Sequence, residues 1–279
     1  MPKLKIAIIG AGKVGTSIGI GLRNKGYEIV GISDNNEEHA LRCFKLTSAK
    51  FWSTNPSDVA KLANIVLLTL PDSVIQEVAR EILPTLKLDT ILIHTSGALP
   101  SNILPKRGQI KRLSMHPIHS FADIDNISGI YWGLEGDKYA VEIGKHIVKD
   151  LDGKPIELNK THKSLYHAGL TMGGPYLLSL IRVSMSILET AGIKDGMQVL
   201  LPLINSVLQN LEKMGINDAI TGPIKRGDIQ TIRGELKSLS EKVPQFLPLY
   251  KNLGLLTLNM LENANLKEEI RNALKSLLH

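Results

Sequence analysis

The sequence predicts an α/β N-terminal half built on a mostly parallel sheet, followed by an all-helical C-terminal half. Three observations predict it. Short apolar, β-branched runs alternate with helix-period segments through residues 1–157. The runs are apolar at consecutive positions, as strands buried on both faces are. From residue 158 to the end only helical patterns are found. Alternation of this kind implies crossover helices on both faces of a sheet. The expected domains are therefore 1–157 and 158–279.

The elements follow in order. Leu4 to Ile9 is the first strand, and a glycine turn leads into a helix over about 13–24, with Gly26 where a C-cap tolerates a left-handed backbone. Glu28 to Ile32 is the second strand and Glu37 to Leu46 the next helix. A weak strand near Phe51 and Trp52 precedes a helix opening at Pro56, Ser57 and Asp58. Ile65 to Leu70 is stopped by Pro71 and Asp72, and a helix runs over about 73–83. Thr90 to His94 ends in Thr95-Ser96-Gly97, and Arg112 to Met115 ends in His116-Pro117. Ile130 to Leu134 is a seventh strand, before a helix over about 138–149. The second half carries helix patterns over 176–188, 196–214, 228–240, 244–262 and 267–278. The first of these is apolar on nearly every side, the pattern of a central, buried helix.

Composition narrows the class. With 279 residues, 43% of them apolar, the chain can bury two cores. The net charge of +6 is spread along the chain, and its densest group, Lys106, Arg107, Lys111 and Arg112, reads as a solvated loop; no nucleic-acid partner is expected. The lone cysteine, Cys43, forms no intrachain disulfide and no metal-ligand spacing, so no metal is expected. The apolar run at Ile6 to Ile9 is too short for a signal-peptide core, and no stretch approaches the roughly 20 apolar residues of a membrane span. A cytoplasmic protein without membrane partners is the expectation.

Gly10-Ala11-Gly12-Lys13-Val14-Gly15 is a GxGxxG that closes a strand and opens a helix inside a βαβ unit, the context of a Rossmann dinucleotide site. Gly10 permits the tight turn, Gly12 close approach of the pyrophosphate, and Gly15 close helix–strand packing. The helix start, with Lys13 and Val14, offers free N–H groups to phosphates. The second strand ends Ser33-Asp34-Asn35, with Asp34 about 20 residues past the turn, where a carboxylate accepts from ribose hydroxyls and repels a 2′-phosphate. That favours NAD over NADP; the competing view makes Asp34 a cap for the helix starting near Glu37. Leu70 and Pro71, at the fourth strand end, are further cofactor candidates.

Ligands of open parallel sheets bind beyond the strand C-termini. Ser96 and His116 lie at two such ends, and His167 shares a helix face with Lys163 just past the domain boundary. Ser96, His116 and His167 are the candidate catalytic residues, for polarising an oxygen or nitrogen and relaying its proton. His116 is equally well explained as a partly buried residue bonded to backbone, and His167 as part of a solvated helix end. Gly173-Gly174-Pro175 interrupts the helix.

GAGKVG, HTSGAL at 94–99, HP at 116–117, KSLYHAG at 163–169 and TGPIKRGD at 221–228 together resemble a family of Rossmann-like oxidoreductases of undefined substrate. Their helical C-terminal domain is related to those of 6-phosphogluconate dehydrogenase and pyrroline-5-carboxylate reductase. The resemblance implies NAD(P) binding and a homodimer formed by the helical domains. This chain departs from it at Asp34-Asn35 and at Gly174-Pro175. In TGPIKRGD, Lys225 and Arg226 place two cations before a helix capped by Asp228, serving an anionic ligand, a partner subunit or only a connection. The expected function is hydride transfer between a nicotinamide cofactor and a small hydroxy- or amino/imino-substrate at the domain interface. The alternative is a cofactor-binding sensor without turnover.

Overall fold

In the computed structural model, which describes residues 4–261 and 266–279, the apolar runs form one eight-stranded sheet. Its strands are β1 (Lys5–Ile9), β2 (Glu28–Ser33), β3 (Trp52–Ser53), β4 (Ile65–Leu68), β5 (Ile91–His94), β6 (Lys111–Ile118), β7 (Tyr131–Gly136) and β8 (Lys154–Glu157). The spatial order is β3-β2-β1-β4-β5-β6-β7-β8, parallel throughout except for the antiparallel β6–β7 pair. Strand order reverses between β1 and β4, and that reversal opens a crevice beyond their C-terminal ends. The eighth strand had no sequence signal. Lys154-Pro155-Ile156-Glu157 is a sheet edge, mostly exposed, with proline where no ladder donor is needed.

Alternation along β1 sends Ile6 and Ile8 to one face, Ala7 and Ile9 to the other. The first face packs on α1 (Lys13–Asn24), α2 (Glu37–Thr47) and α5 (Lys138–Asp150) through Ile18, Leu22, Cys43 and Ile147. The second packs on α3 (Pro56–Ala60) and α4 (Asp72–Ile82) through Val59, Ile75 and Ala79. Each fully buried aliphatic side chain contributes about 1.5–3 kcal/mol of transfer free energy.

The chain divides into two compact units, Met1–Gly174 and Pro175–His279. Strand patterning ends at Glu157, but α6 (Lys163–Gly173) stays with the sheet, because the Lys163 side chain is buried against β5 and β6. The unit boundary falls at Gly174-Pro175, where α6 gives way to α7 (Pro175–Thr190).

The second unit contains α7, α8 (Gly196–Ala219), α9 (Pro223–Arg226), α10 (Ile229–Lys242), α11 (Leu247–Met260) and α12 (Glu268–Leu278). Its core gathers Ile224, Ile232, Leu258, Leu274 and Leu278. TGPIKRGD becomes a short helix between Gly222 (φ +98°) and Gly227 (φ +68°), backbone states that favour glycine. Asp228 then caps α10 by accepting from Thr231 N–H at 3.0 Å. The helix expected over 244–262 opens with a 3₁₀ turn, Pro244–Phe246, and continues as α11; Glu262 lies outside the described residues.

The expectation of a central, buried helix over 176–188 is corrected. No residue of α7 is buried, and Leu178 is 68% exposed. α7 packs along α8, which is itself apolar and exposed around much of its girth, so among the described residues of this unit no further layer encloses either helix. No described helix is long and apolar enough to cross a membrane.

Candidate active site

The crevice holds a cavity of about 680 Å³. Gly10, Gly12, Ser33, Asp34, Asn35, Leu70 and Pro71 all line it. Gly10 has φ +99°, and a Cβ there would collide with the Thr69 carbonyl oxygen. Gly12 precedes α1 with open space where its Cβ would be. A Cβ at Gly15 would strike the Gly10 carbonyl, so this glycine serves close packing. The α1 N-terminus thus faces the cavity with an unobstructed backbone, which fits a pyrophosphate. Lys13 and Val14 are not on the cavity wall; Lys13 Nζ donates to the Ala122 carbonyl at 2.6 Å, and Val14 packs into the core.

Asp34 is not the α2 cap. Asn36 is, accepting from His39 N–H at 3.1 Å. The Asp34 carboxylate instead accepts from Ala11 N–H at 2.6 Å and Asn36 N–H at 2.9 Å, tying the glycine turn to the end of β2.

A second polar group sits at the ends of β5 and β6. Ser96 Oγ donates to Asp72 at 2.9 Å and accepts from the Ala98 and Leu99 N–H groups. The hydroxyl is fully engaged, so Ser96 braces the turn after β5. Its carbonyl accepts from Lys163 Nζ at 3.0 Å, and Lys163 also donates to Ser114 Oγ. Lys163 is 1% exposed. Burial lowers its pKa to about 8, against the opposing pull of Glu135 and Asp72.

His116 Nδ1 is 2.8 Å from Tyr166 Oη. Burial holds the Tyr166 phenol protonated, up to about 12, so it donates to His116 Nδ1 when the imidazole proton is on Nε2. Burial, then the charges of Lys163 and His167, push His116 down to about 4, which leaves it neutral near pH 7. Its Nε2 edge packs closely on Gly97. A Cβ on Gly97 would lie 2.9 Å from His116 Nε2 and 2.6 Å from His167 Cδ2. Gly133 plays the matching part for Tyr166, whose Oη would be 2.6 Å from a Cβ there. His94 is fully buried, its Nδ1 accepting from Ser96 N–H at 3.2 Å, and burial pushes it down to about 3.

The structure therefore brings Ser96, His116 and His167 around Gly97, with Ser96 as scaffold and the two imidazoles packed on the glycine. Sequence reading missed Asp72, Ser114 and Glu135 and undervalued Lys163. The available signal was Lys163-Ser164-Leu165-Tyr166-His167, whose spacing places Lys163, Tyr166 and His167 within one turn of a helix.

A strand–glycine turn–helix cleft below a histidine-bearing strand end defines a Rossmann-like protein with a helical C-terminal region. Residues 1–117 match the Rossmann-like domain family, and residues 130–257 match a domain of unknown function, DUF2520. The chain combines these two domains. A Bacteroides fragilis protein assigned as an NADP oxidoreductase superposes with a TM-score of 0.76 at 21% identity, covering 91% of this chain and 98% of its own. A Thermotoga maritima protein gives 0.76 at 25% identity, covering 92% and 98%. Plasmodium falciparum pyrroline carboxylate reductase, solved with NADP, gives 0.58 at 16% identity over the whole of both chains. Among sequence relatives, the NAD(P)-dependent glycerol-3-phosphate dehydrogenase of Bacillus velezensis is 27% identical over 112 residues, 36% of this chain and 32% of that enzyme. That of Desulfotalea psychrophila is 24% identical over 209 residues, 69% and 60%. The chain thus matches less than two thirds of either relative's length.

Proposed function

We propose that this chain is an NAD(P)-dependent oxidoreductase acting on a small polar hydroxy- or amino/imino-substrate. The observation that carries the proposal is the meeting of His116 Nε2 and the His167 ring over Gly97, on the sheet that carries the dinucleotide cleft. Gly10, Gly12 and the α1 N-terminus would hold the pyrophosphate, and Asp34 with Ser33 and Asn35 the adenosine ribose. Bound nicotinamide supplies or accepts the hydride. The chain's own part is the proton and the polarity. Neutral His116, held in its tautomer by Tyr166, donates a hydrogen bond from Nε2 that polarises the substrate oxygen or nitrogen without giving up its proton. His167 takes the proton released from that atom in oxidation and returns it in reduction. Buried Lys163 keeps a positive field beneath the site, which favours an anionic or electron-rich group above it.

The test is a panel of small hydroxy acids, amino acids and imines with both cofactors, followed by nicotinamide absorbance. Turnover should fall by about 100-fold or more in His116→Ala, with cofactor affinity retained. Turnover unchanged in His116→Ala and His167→Ala would overturn the proposal. Tight cofactor binding with neither substrate turnover nor any effect of these variants would favour the sensor.

We also propose a homodimer, in which a second copy covers the apolar faces of α7 and α8. Between Asp195 and Glu212 the sequence carries no charge, while Leu203 is 60% exposed. Leu178→Glu with Leu203→Glu should yield monomers in sedimentation equilibrium. A monomeric wild type at low micromolar concentration would contradict the assembly.

A further inference from the structure

The adenosine end of the cleft carries a charge pattern that the glycine motif does not explain. Asp34 lines it from β2, and Glu77 and Glu81 line it from α4. Among the described residues its wall includes no Lys, Arg or His. Val74 and Val78, on the same face of α4 with Pro56 also on the wall, give the apolar slot a purine ring needs. Glu77 and Glu81 are one turn apart, each beside one of those valines in the cavity lining. Asp34 is fixed, because both carboxylate oxygens already accept backbone N–H groups, so it cannot swing away from an incoming anion. Asn35 offers only a neutral amide.

We infer that Glu77 and Glu81 are specificity-determining residues, which with Asp34 form a carboxylate rim selecting the dinucleotide without a 2′-phosphate. The inference rests on the dinucleotide reading of this cleft. A ribose 2′-phosphate brings nearly two negative charges. In a walled groove those charges are screened less than on an open surface. No cation on the wall offsets them. A ribose with free hydroxyls can donate to these carboxylates. The strand-end aspartate alone leaves this selectivity to one side chain that is also holding the glycine turn together; the α4 pair supplies it from positions free of that duty.

The experiment titrates NADH and NADPH, by nicotinamide fluorescence, into wild type, Glu77→Gln/Glu81→Gln and Glu81→Lys. Glutamine matches glutamate closely in helix propensity, and both positions are exposed on α4, so folding is retained and is checked by thermal melting. Wild type should bind NADH at least about tenfold tighter than NADPH, a difference of about 1.4 kcal/mol. The double variant should narrow that ratio about fivefold or more, through NADPH, with NADH changing less than about threefold; Glu81→Lys should narrow it further. High salt should shrink the wild-type ratio toward that of the double variant. A wild type that prefers NADPH, or a folded double variant with an unchanged ratio, overturns the inference and leaves the dinucleotide reading standing. A wild type that binds neither cofactor overturns both.

Discussion

Replacing Lys163 with methionine should leave the protein about as stable as wild type, while removing its function. The ammonium is 1% exposed and is held by two neutral oxygens, Ser96 O and Ser114 Oγ. Its pKa falls from 10.5 to about 8. At about 1.4 kcal/mol per unit, keeping it charged at neutral pH costs the folded state about 3 kcal/mol. Methionine fills nearly the same volume, a swap that costs under about 1.5 kcal/mol. The two oxygens do not become orphans, because Ser114 Oγ already donates to Ser96 O at 3.3 Å. The two lost hydrogen bonds take back about 2 kcal/mol. The net at pH 7 lies within about 1 kcal/mol of zero. The balance shifts with pH. Below about 8 the lysine is protonated in both states and the wild type bears the full penalty; as pH rises from 8 to 10.5 the folded state sheds the proton first, and wild-type stability recovers. Urea denaturation of both proteins at pH 7 and pH 10 reads the difference, with other alkaline effects shared. A variant less stable by about 3 kcal/mol at pH 7, with no pH dependence in the gap, would mean that the ammonium is a structural tie.

Three further outcomes follow from the geometry. Gly97→Ala places a methyl 2.6 Å from His167 and 2.9 Å from His116, so it should destabilise by about 1–3 kcal/mol and shift both imidazole resonances in NMR; unchanged resonances would deny that the rings pack on Gly97. Asp34→Ala frees two backbone N–H groups at the cofactor turn and should lower stability by about 1–3 kcal/mol in denaturant melts, as well as weakening dinucleotide binding; full stability would mean that Asp34 does not tie the turn. Acid should destabilise the protein earlier than carboxylate titration requires. His94 is buried neutral with its pKa near 3 and His116 with its pKa near 4, so below pH 6.5 the unfolded chain takes up two protons that the folded chain refuses; each contributes about 1.4 kcal/mol per pH unit down to its folded pKa, and His94→Phe should about halve the slope between pH 6 and 4.

The order of elements was legible because β1, β4 and β5 are continuous apolar runs and the helices between them keep one apolar stripe. The glycine turn was legible for the same local reason: Gly10 and Gly15 are fixed by contacts within one βαβ unit and its neighbour strand. β8 was not, since an exposed four-residue edge carries no burial pattern to read. The burial of α7 was misread because an apolar helix states that something covers it, not that its own chain does. Within the site, His116 and His167 could be named from strand and helix ends. Their meeting over Gly97, the Tyr166 bond and the burial of Lys163 all depend on α6 lying against the ends of β5 and β6, a tertiary fact with no local signature. The role of Ser96 changed for the same reason, because its hydroxyl partners include Asp72, 24 positions away.

The most direct test of the central claim is a crystal structure with NAD(H) bound. The pyrophosphate should lie on the α1 N-terminus, with nicotinamide C4 facing the two imidazoles that meet over Gly97. His116 Nε2 should lie within about 3.2 Å of a substrate atom that itself lies about 3–3.5 Å from C4. A dinucleotide bound away from the glycine turn, or a nicotinamide with neither His116 nor His167 in reach of a substrate-sized space beside C4, would contradict it.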